Sequence, residues 1–394
     1  MEKALVLHSR RTVFPDGIAD GGIVAENGTI REVFRGERRC GAGEEAVDAS
    51  DAWLIPGLID MHVHGGGGYD FLDGTEEALH GAAKFHLLHG TTCLLPTALT
   101  APLAEITAIR KLIRQRKRKD DEPELPGLHL EGPFLSPAMA GAQNPEYLRK
   151  PTSAERAEWF RDSEGICRVT AAPELEGGME LGQLLKQKGI LAGIGHSDAD
   201  YAQACEAVQS GYSLLTHFYS AMSSLHRVGP KRVLGLVEAG YLEDALDIEI
   251  IADGVHLPPE LLRMILKLKP LDKIALITDA MRGAGLPEGS RVKLGSLQNG
   301  QEVLVEGGVA VMPDRKAYAG SVATADRCIR TVYGLGMLDM AQTVKLMSEN
   351  PARMLGLSRK GALAPGKDAD AAVLDKDLRI RLVLAGGNVV ERDI

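Results

Sequence analysis

His62 and His64 stand one residue apart at the end of the apolar run in LIPGLIDMHVHGGGGYDFLDG, Leu54 to Gly74, and four glycines follow them. Residues i and i+2 of a strand point to the same side, so two imidazoles in this register aim at one point beyond the strand's end. The glycines are expected to leave room beside them. Metal-capable groups also end later apolar runs: Glu131, His196, His217, the pair Asp253 and His256, and Asp279. One such residue is ordinarily a hydrogen-bonded strand end, but apolar strands have no structural need for so many. Imidazole and carboxylate together hold a divalent cation such as Zn²⁺ or Fe²⁺. The cation lowers the pKa of water from about 15.7 to about 7, and an edge carboxylate such as Asp279 takes the proton and gives it to the leaving group. The pattern points to metal-dependent hydrolysis.

Eight apolar runs position these groups: LIPGLIDMHVH, TTCLLPTAL, LPGLHLEGPF, CRVTAAPEL, ILAGIGHS, SLLTHFYS, LDIEIIADGVH and KIALITDAM. Helical stretches such as EEALHGAAKFHLLHG and DADYAQACEAVQSG fall between them. Continuous apolar strands alternating with amphipathic helices indicate a parallel sheet that is covered on both faces or closed. Eight units in about 300 residues predict an α/β fold, a (β/α)8 TIM-like barrel over residues 54–358 with its site at the strand ends. A doubly wound open sheet is the alternative, and no G-x-G-x-x-G follows the first run to support it. Residues 1–53 and 359–394 read as short strands with hairpin signals at ENG, DKD and AGGN. They are predicted to pair into one small β-sandwich domain.

Bulk composition narrows the partners. Of 394 residues, 44% are hydrophobic and 25% charged, and 54 acidic against 45 basic side chains give a net charge of −9. That balance argues against a nucleic-acid surface. The basic-then-acidic stretch RKLIRQRKRKDDEPE, Arg110 to Glu124, reads as the exposed face and end of a helix. Cys40, Cys93, Cys167, Cys205 and Cys328 are dispersed, with no C-x-x-C pair, as expected of reduced thiols in the cytoplasm. MEKALVLHSRRTVFPDG reads as strand and turn rather than a signal peptide. No uncharged apolar run approaches the roughly 18 residues of a membrane span, so no membrane partner is expected.

Taken together, PGLIDMHVHG, LHLEGPFLSP, GHSDA, THFYSAM, IADGVH, TDAMRGAGLPEG, AGS, NPARMLGL and GALAPGKDADAAVLD carry a resemblance over nearly the whole chain. The chain resembles the amidohydrolase superfamily and, within it, the N-acetylglucosamine-6-phosphate deacetylase family. The H-x-H pair and the final aspartate are common to the superfamily, whereas HLEGPF with TDAM-x-x-AGLP is specific to the deacetylases. The resemblance implies that Glu131, His196 and His217 hold a principal metal. It implies that His62 and His64 hold a second, with Glu131 bridging, so one or two zinc or iron ions serve each subunit. Asp279 would be the general base and acid, and His256 would contact the substrate. Gln143, Ala142, Ser220, Ala221 and Arg227 are the further implied substrate contacts. The implied reaction converts N-acetylglucosamine 6-phosphate to glucosamine 6-phosphate and acetate in amino-sugar catabolism, by a homodimer.

Alternatives stay open. The same chemistry could act on another N-acetylated amino sugar such as N-acetylgalactosamine 6-phosphate. Relatives that open cyclic amides usually bridge two metals with a lysine on the fourth strand, and CRVTAAPEL has none. A barrel kept only as an interaction protein predicts eroded ligands, and none is missing here. Three departures fall in the sugar and phosphate pocket. PAMAG and Gln143-Asn144-Pro145 stand where a lysine-containing turn and His-Asn-Pro are usual, and Ser220 stands where asparagine is usual. HRVGPKR replaces the usual Arg-Glu-Pro-Gly, whose arginine reaches the phosphate bound by the partner subunit. Arg227, Lys231 and Arg232 are available there but out of register.

Overall fold

The eight apolar runs become eight parallel strands in a computed structural model, which describes residues 3–49 and 51–391. They are β1 (Leu58–Val63), β2 (Thr91–Ala98), β3 (Leu128–Glu131), β4 (Ile166–Ala171), β5 (Leu191–Ile194), β6 (Tyr212–Leu215), β7 (Asp247–Ile251) and β8 (Ile274–Ile277). Each lies beside its sequence neighbours, so the strand-order reversal of a doubly wound sheet is absent. Every residue of β1 and β2 is buried. Both faces of the sheet are covered, which is why these runs show no polar alternation. The ring closes just past the last ladder. Asp279 donates its N–H to His62 O (3.0 Å), His64 donates to Ala280 O (2.7 Å), and the Thr278 hydroxyl donates to the buried Asp60 carboxylate.

Helix Glu76–Leu87 shows how the crossovers pack. Thr75 Oγ1 accepts the Ala78 N–H (3.1 Å), Glu76 and Glu77 suit the positive first turn, and Ala78, Leu79, Ala82, Ala83 and Leu87 form the buried stripe. Helix Leu103–Gln115 carries the start of the basic run. Beyond it, Arg116 donates to the Glu122 carboxylate (2.6 Å) and Arg118 to Glu122 O (3.1 Å). The run is partly neutralised by its own acids.

The two chain ends meet as expected, in one hydrogen-bonded sheet of eight strands. Strand Ala4–Phe14 pairs with Gly17–Glu26 on one edge. Its other edge takes Glu44–Asp48 along the first half and Trp53–Pro56 along the second, so the sheet forks there. Trp53–Pro56 also pairs antiparallel with Ala371–Leu374, which leads to Ile380–Ala385 and Asn388–Glu391. The sandwich-like packing comes from this fork. Leu7, Ile23 and Ile30 of one arm share a core with Leu54, Val373 and Leu384 of the other. Residues 54–56, grouped with the barrel from sequence, pair in this sheet. Positive φ at Asn27 and Gly28 (50° and 75°) and at Gly386 and Gly387 (60° and 87°) matches the ENG and AGGN hairpin signals.

A four-stranded antiparallel sheet follows β8: Arg291–Leu294, Gln301–Glu306, Val309–Val311 and Tyr318–Ser321. Leu294, Val303, Ala310 and Ala319 pack it onto Met281, with Leu99 and Ala142 against the same cluster. Reading the sequence for eight repeating units passed over this insertion. Its signal was QEVLVEGGVAV, two strand-like runs around a Gly-Gly turn. Among the described residues, no helix is long and apolar enough to cross a membrane.

Candidate active site

The metal-capable groups converge at the carboxyl end of the barrel. His62 lies near the end of β1, His64 just past it, and Glu131 ends β3. His196, His217 and Asp279 each stand two residues beyond β5, β6 and β8, and all three have left-handed backbone, with φ of 48°, 35° and 49°. That conformation costs a non-glycine residue on the order of 1 kcal/mol or more. Backbone hydrogen bonds hold it in place. Ser136 donates to His196 O (2.9 Å), Ser220 to His217 O (2.9 Å) and Ser321 to Asp279 O (2.7 Å).

The side chains form two overlapping triads, Glu131 with His196 and His217, and Glu131 with His62 and His64. Glu131 serves both. Oε1 lies 3.1 Å from His196 Nε2, 2.9 Å from His217 Nε2 and 3.5 Å from His62 Nε2, while Oε2 lies 3.4 Å from His64 Nε2. Asp279 Oδ1 is 3.1 Å from His64 Nε2 and 3.5 Å from His62 Nε2.

The histidine tautomers follow from the opposite ring nitrogens. His196 Nδ1 donates to Met139 O (2.8 Å) and His217 Nδ1 to Ser220 O (3.2 Å). Each Nε2 of that pair is then a bare lone pair, yet the two are 3.2 Å apart and face one carboxylate oxygen. His64 Nδ1 faces Thr97 O (3.3 Å), leaving its Nε2 toward Glu131 and Asp279 in the same way. His62 Nε2 and Asp279 Oδ1 are buried without a hydrogen-bond partner. Lone pairs and carboxylates gathered this closely repel one another unless a cation stands among them. The donor set, imidazole and carboxylate with second hydrogen bonds fixing the rings, fits a divalent transition metal.

Titration behaviour shows the same demand for positive charge, met by protons on the rings where no cation stands among them. Burial opposes ionisation of Glu131, but His62, His196 and His217 outweigh it and hold the carboxyl well below its usual range. Burial likewise opposes the ionised form of Asp279, and His62 and His64 overcome it. His64 is desolvated, yet Asp279 and Glu131 push it up to about 9. The cluster draws positive charge.

A cavity of about 380 Å³ opens over this cluster, a size suited to a small ligand. Of the expected substrate contacts, His256, Ala142, Gln143, Ser220 and Ala221 all line it. His256 donates Nδ1–H to Asp253 (2.8 Å), and Asp253 also accepts the N–H groups of Val255 and His256. Gln143, expected at the sugar, has its amide nitrogen 2.6 Å from Glu131 Oε2. Arg227 is not among the lining residues of this chain's cavity. It sits on the exposed hairpin His226–Val228 and Lys231–Val233. Tyr318, from the inserted sheet, lines the mouth with its ring 4.8 Å from that of His256, and sequence reading did not find it.

The four glycines play a different part from the one expected, because none lines the cavity. A Cβ at Gly65 would lie 2.1 Å from Tyr69 O, and one at Gly66 would lie 2.5 Å from the Phe85 ring. Their lack of a side chain lets Gly65–Gly66 pair with Tyr69–Asp70 and pack against helix Glu76–Leu87.

Residues 53–390 match the model of the amidohydrolase family. The N-acetylglucosamine-6-phosphate deacetylase of Bacillus subtilis (strain 168) is 33% identical over 396 residues, covering 99% of this chain and 98% of that protein. The N-acetylgalactosamine-6-phosphate deacetylase of Escherichia coli O157:H7 is 36% identical over 348 residues, covering 87% of this chain and 89% of that protein. Among solved structures, a mutant N-acetyl-D-glucosamine-6-phosphate deacetylase of Mycobacterium smegmatis, in complex with N-acetyl-D-glucosamine-6-phosphate, is similar with a TM-score of 0.89 at 29% identity. That match covers 99% of this chain and 100% of the other.

Proposed function

We propose that this chain, which belongs to the amidohydrolase family, hydrolyses the acetamido group of N-acetylglucosamine 6-phosphate to glucosamine 6-phosphate and acetate. The observation that carries the reading is the convergence of Nε2 lone pairs and two ionised carboxylates beside a cavity of small-ligand size. Glu131, His196 and His217 would hold the principal divalent cation, zinc or iron, and His62 and His64, with Glu131, would hold a second. When bound, such a cation supplies Lewis-acid polarisation of the amide carbonyl and acidification of water.

The chain's own residues do the rest. Asp279, ionised at neutral pH, takes the proton of the attacking water at its carboxylate and returns it to the amine nitrogen as the C–N bond breaks. His256, anchored through Nδ1 on Asp253, presents Nε2 to a polar group of the substrate. Ala142, Ser220 and Ala221 wall the sugar. Arg227, with Lys231 and Arg232 on the same exposed hairpin, serves the phosphate bound by a second subunit, so the working unit is a homodimer. The enzyme is cytoplasmic, takes a small-molecule amino-sugar phosphate, and needs neither nucleic acid nor membrane.

A second reading keeps the chemistry and changes the sugar to N-acetylgalactosamine 6-phosphate. The relative of that activity at 36% identity, together with Ser220 and the altered hairpin, favours testing it. Acetate release by metal-replete protein decides between them. The panel is the two sugar phosphates, unphosphorylated N-acetylglucosamine and a plain N-acetyl amino acid, with Asp279→Asn as the blank. Preference for N-acetylglucosamine 6-phosphate, lost in the blank, is the expected result. Release mainly from another member, or from none, overturns the assignment.

A further inference from the structure

We infer that Gln143 is a positioning residue for the shared ligand Glu131, not a grip on the sugar. The inference rests on the reading that the two triads hold ions.

The orientation of the Gln143 amide is set by its partners. Thr100 N–H can only donate, and it lies 2.9 Å from Gln143 Oε1, with the Thr100 hydroxyl 2.6 Å from the same atom. Oε1 is therefore the acceptor end, and Nε2 is the end that meets Glu131 Oε2 at 2.6 Å. Thr100 and Gln143 are 6% and 3% exposed, so bulk water does not compete strongly for these bonds. The loop that carries Gln143 is itself pinned. Gln143 donates its N–H to Ala140 O (2.9 Å), and Gln301 of the inserted sheet donates to Ala142 O (2.7 Å).

This clamp acts on the atom that needs one. Glu131 must keep one oxygen toward His196, His217 and His62 and the other toward His64, and a partial rotation about its last bond would carry both away from the imidazoles. A charge-assisted bond from Gln143 to Oε2 fixes the angle of the carboxylate plane against such rotation. Thr100, just past β2, thus reaches Glu131 at the end of β3 through one amide. Outer partners of this kind set ligand orientation, and losing one lowers metal affinity by about 10–100-fold.

The test is zinc affinity of metal-stripped full-length protein, read by competition with a chromophoric chelator, for wild type, Gln143→Met and Thr100→Val. Gln143→Met is expected to weaken the tightest zinc site by about 10–100-fold, while KM for the acetylated sugar phosphate at saturating zinc stays within about twofold. Thr100→Val is expected to shift affinity the same way by less, because Thr100 N–H still holds the amide. Unchanged zinc affinity with a raised KM in Gln143→Met makes the residue a sugar contact and overturns the inference. If Gln143→Met does not fold, unchanged zinc affinity in Thr100→Val overturns it alone. The wild-type arm separates the two readings. Zinc-binding protein that deacetylates some other sugar defeats the proposed substrate and leaves this inference standing, whereas wild type that binds no zinc defeats both.

Discussion

Replacing Glu249 with leucine leaves Arg168 charged inside the barrel, beneath the histidines. Arg168 is wholly buried, and its guanidinium donates twice to the Glu249 carboxylate, to Thr216 Oγ1 (2.9 Å) and to Met61 O (3.0 Å). Removing the carboxylate takes away both charge-assisted bonds and the only negative charge paired with that cation among the described residues. Breaking a buried pair from one side costs about 3–5 kcal/mol. Unfolding entropy of about 2.1 cal/mol/K per residue gives about 0.8 kcal/mol/K for 394 residues, so the expected fall in Tm is about 5 °C. The double variant Arg168→Met with Glu249→Leu removes both charges and replaces them with apolar groups. It is expected within about 1 kcal/mol of wild type, or above it, because neither ion then has to be desolvated. Scanning calorimetry of the three metal-free proteins at one scan rate reads the difference. Equal losses in the single and double variants would refute the reasoning, since the cost would then lie in packing and not in an orphaned charge. The pair also reaches the site, for Glu249 Oε2 faces His62 Nδ1 at 3.6 Å and the His217 N–H at 3.4 Å. The double variant is therefore expected to fold while holding a divalent metal at His62 and His64 more weakly.

Asp279→Asn is expected to lower kcat at least about 100-fold while the protein keeps as much divalent metal as wild type, which metal analysis beside acetate release distinguishes from loss of a ligand. Replacing Arg227, Lys231 and Arg232 together by alanine is expected to raise KM for the phosphorylated sugar and not for the unphosphorylated one; full activity on the sugar phosphate would show that this hairpin is not the phosphate contact. Burial opposes the charge on Asp326, but His89 and Arg330 outweigh it and hold its carboxyl below the usual range. A depressed folded-state pKa gives stability that is present above the unfolded value of about 3.9 and is lost as pH falls below it. Asp326→Asn should therefore cost about 3 kcal/mol at pH 7, with the Tm difference from wild type shrinking below about pH 4 in thermal melts.

The barrel was legible because strands covered on both faces read as unbroken apolar runs, and the donors because a polar group closing such a run stands out by type alone. The Arg168–Glu249 pair was not. Each residue is a charge flanked by apolar neighbours in its strand, and its meaning appears only when β4 and β7 are seen to face each other across the barrel. Gln143 was read from its place in a motif, yet its commitment depends on Thr100, on a different strand end. The inserted sheet carried an ordinary hairpin signal that an eightfold count had no slot for. Arg227 shows a different limit: its type suits a phosphate, but type cannot say whose cavity it reaches.

The strand Trp53–Pro56 has a consequence for how the molecule is made. It leads through Gly57 straight into β1, which bears His62, and one of its edges is completed only by Ala371–Leu374. During synthesis the first of these strands leaves the ribosome hundreds of residues ahead of the second. The growing barrel can close around β1 while that edge still presents unpaired backbone groups, the kind of surface that pairs with other chains. Assembly of the outer sheet is thus a late, long-range event, in the class of contacts that form slowly. A ribosome that stalls before Ala371 releases a chain with all eight barrel strands and all the metal-capable groups of the site, but with the entry to β1 unsecured.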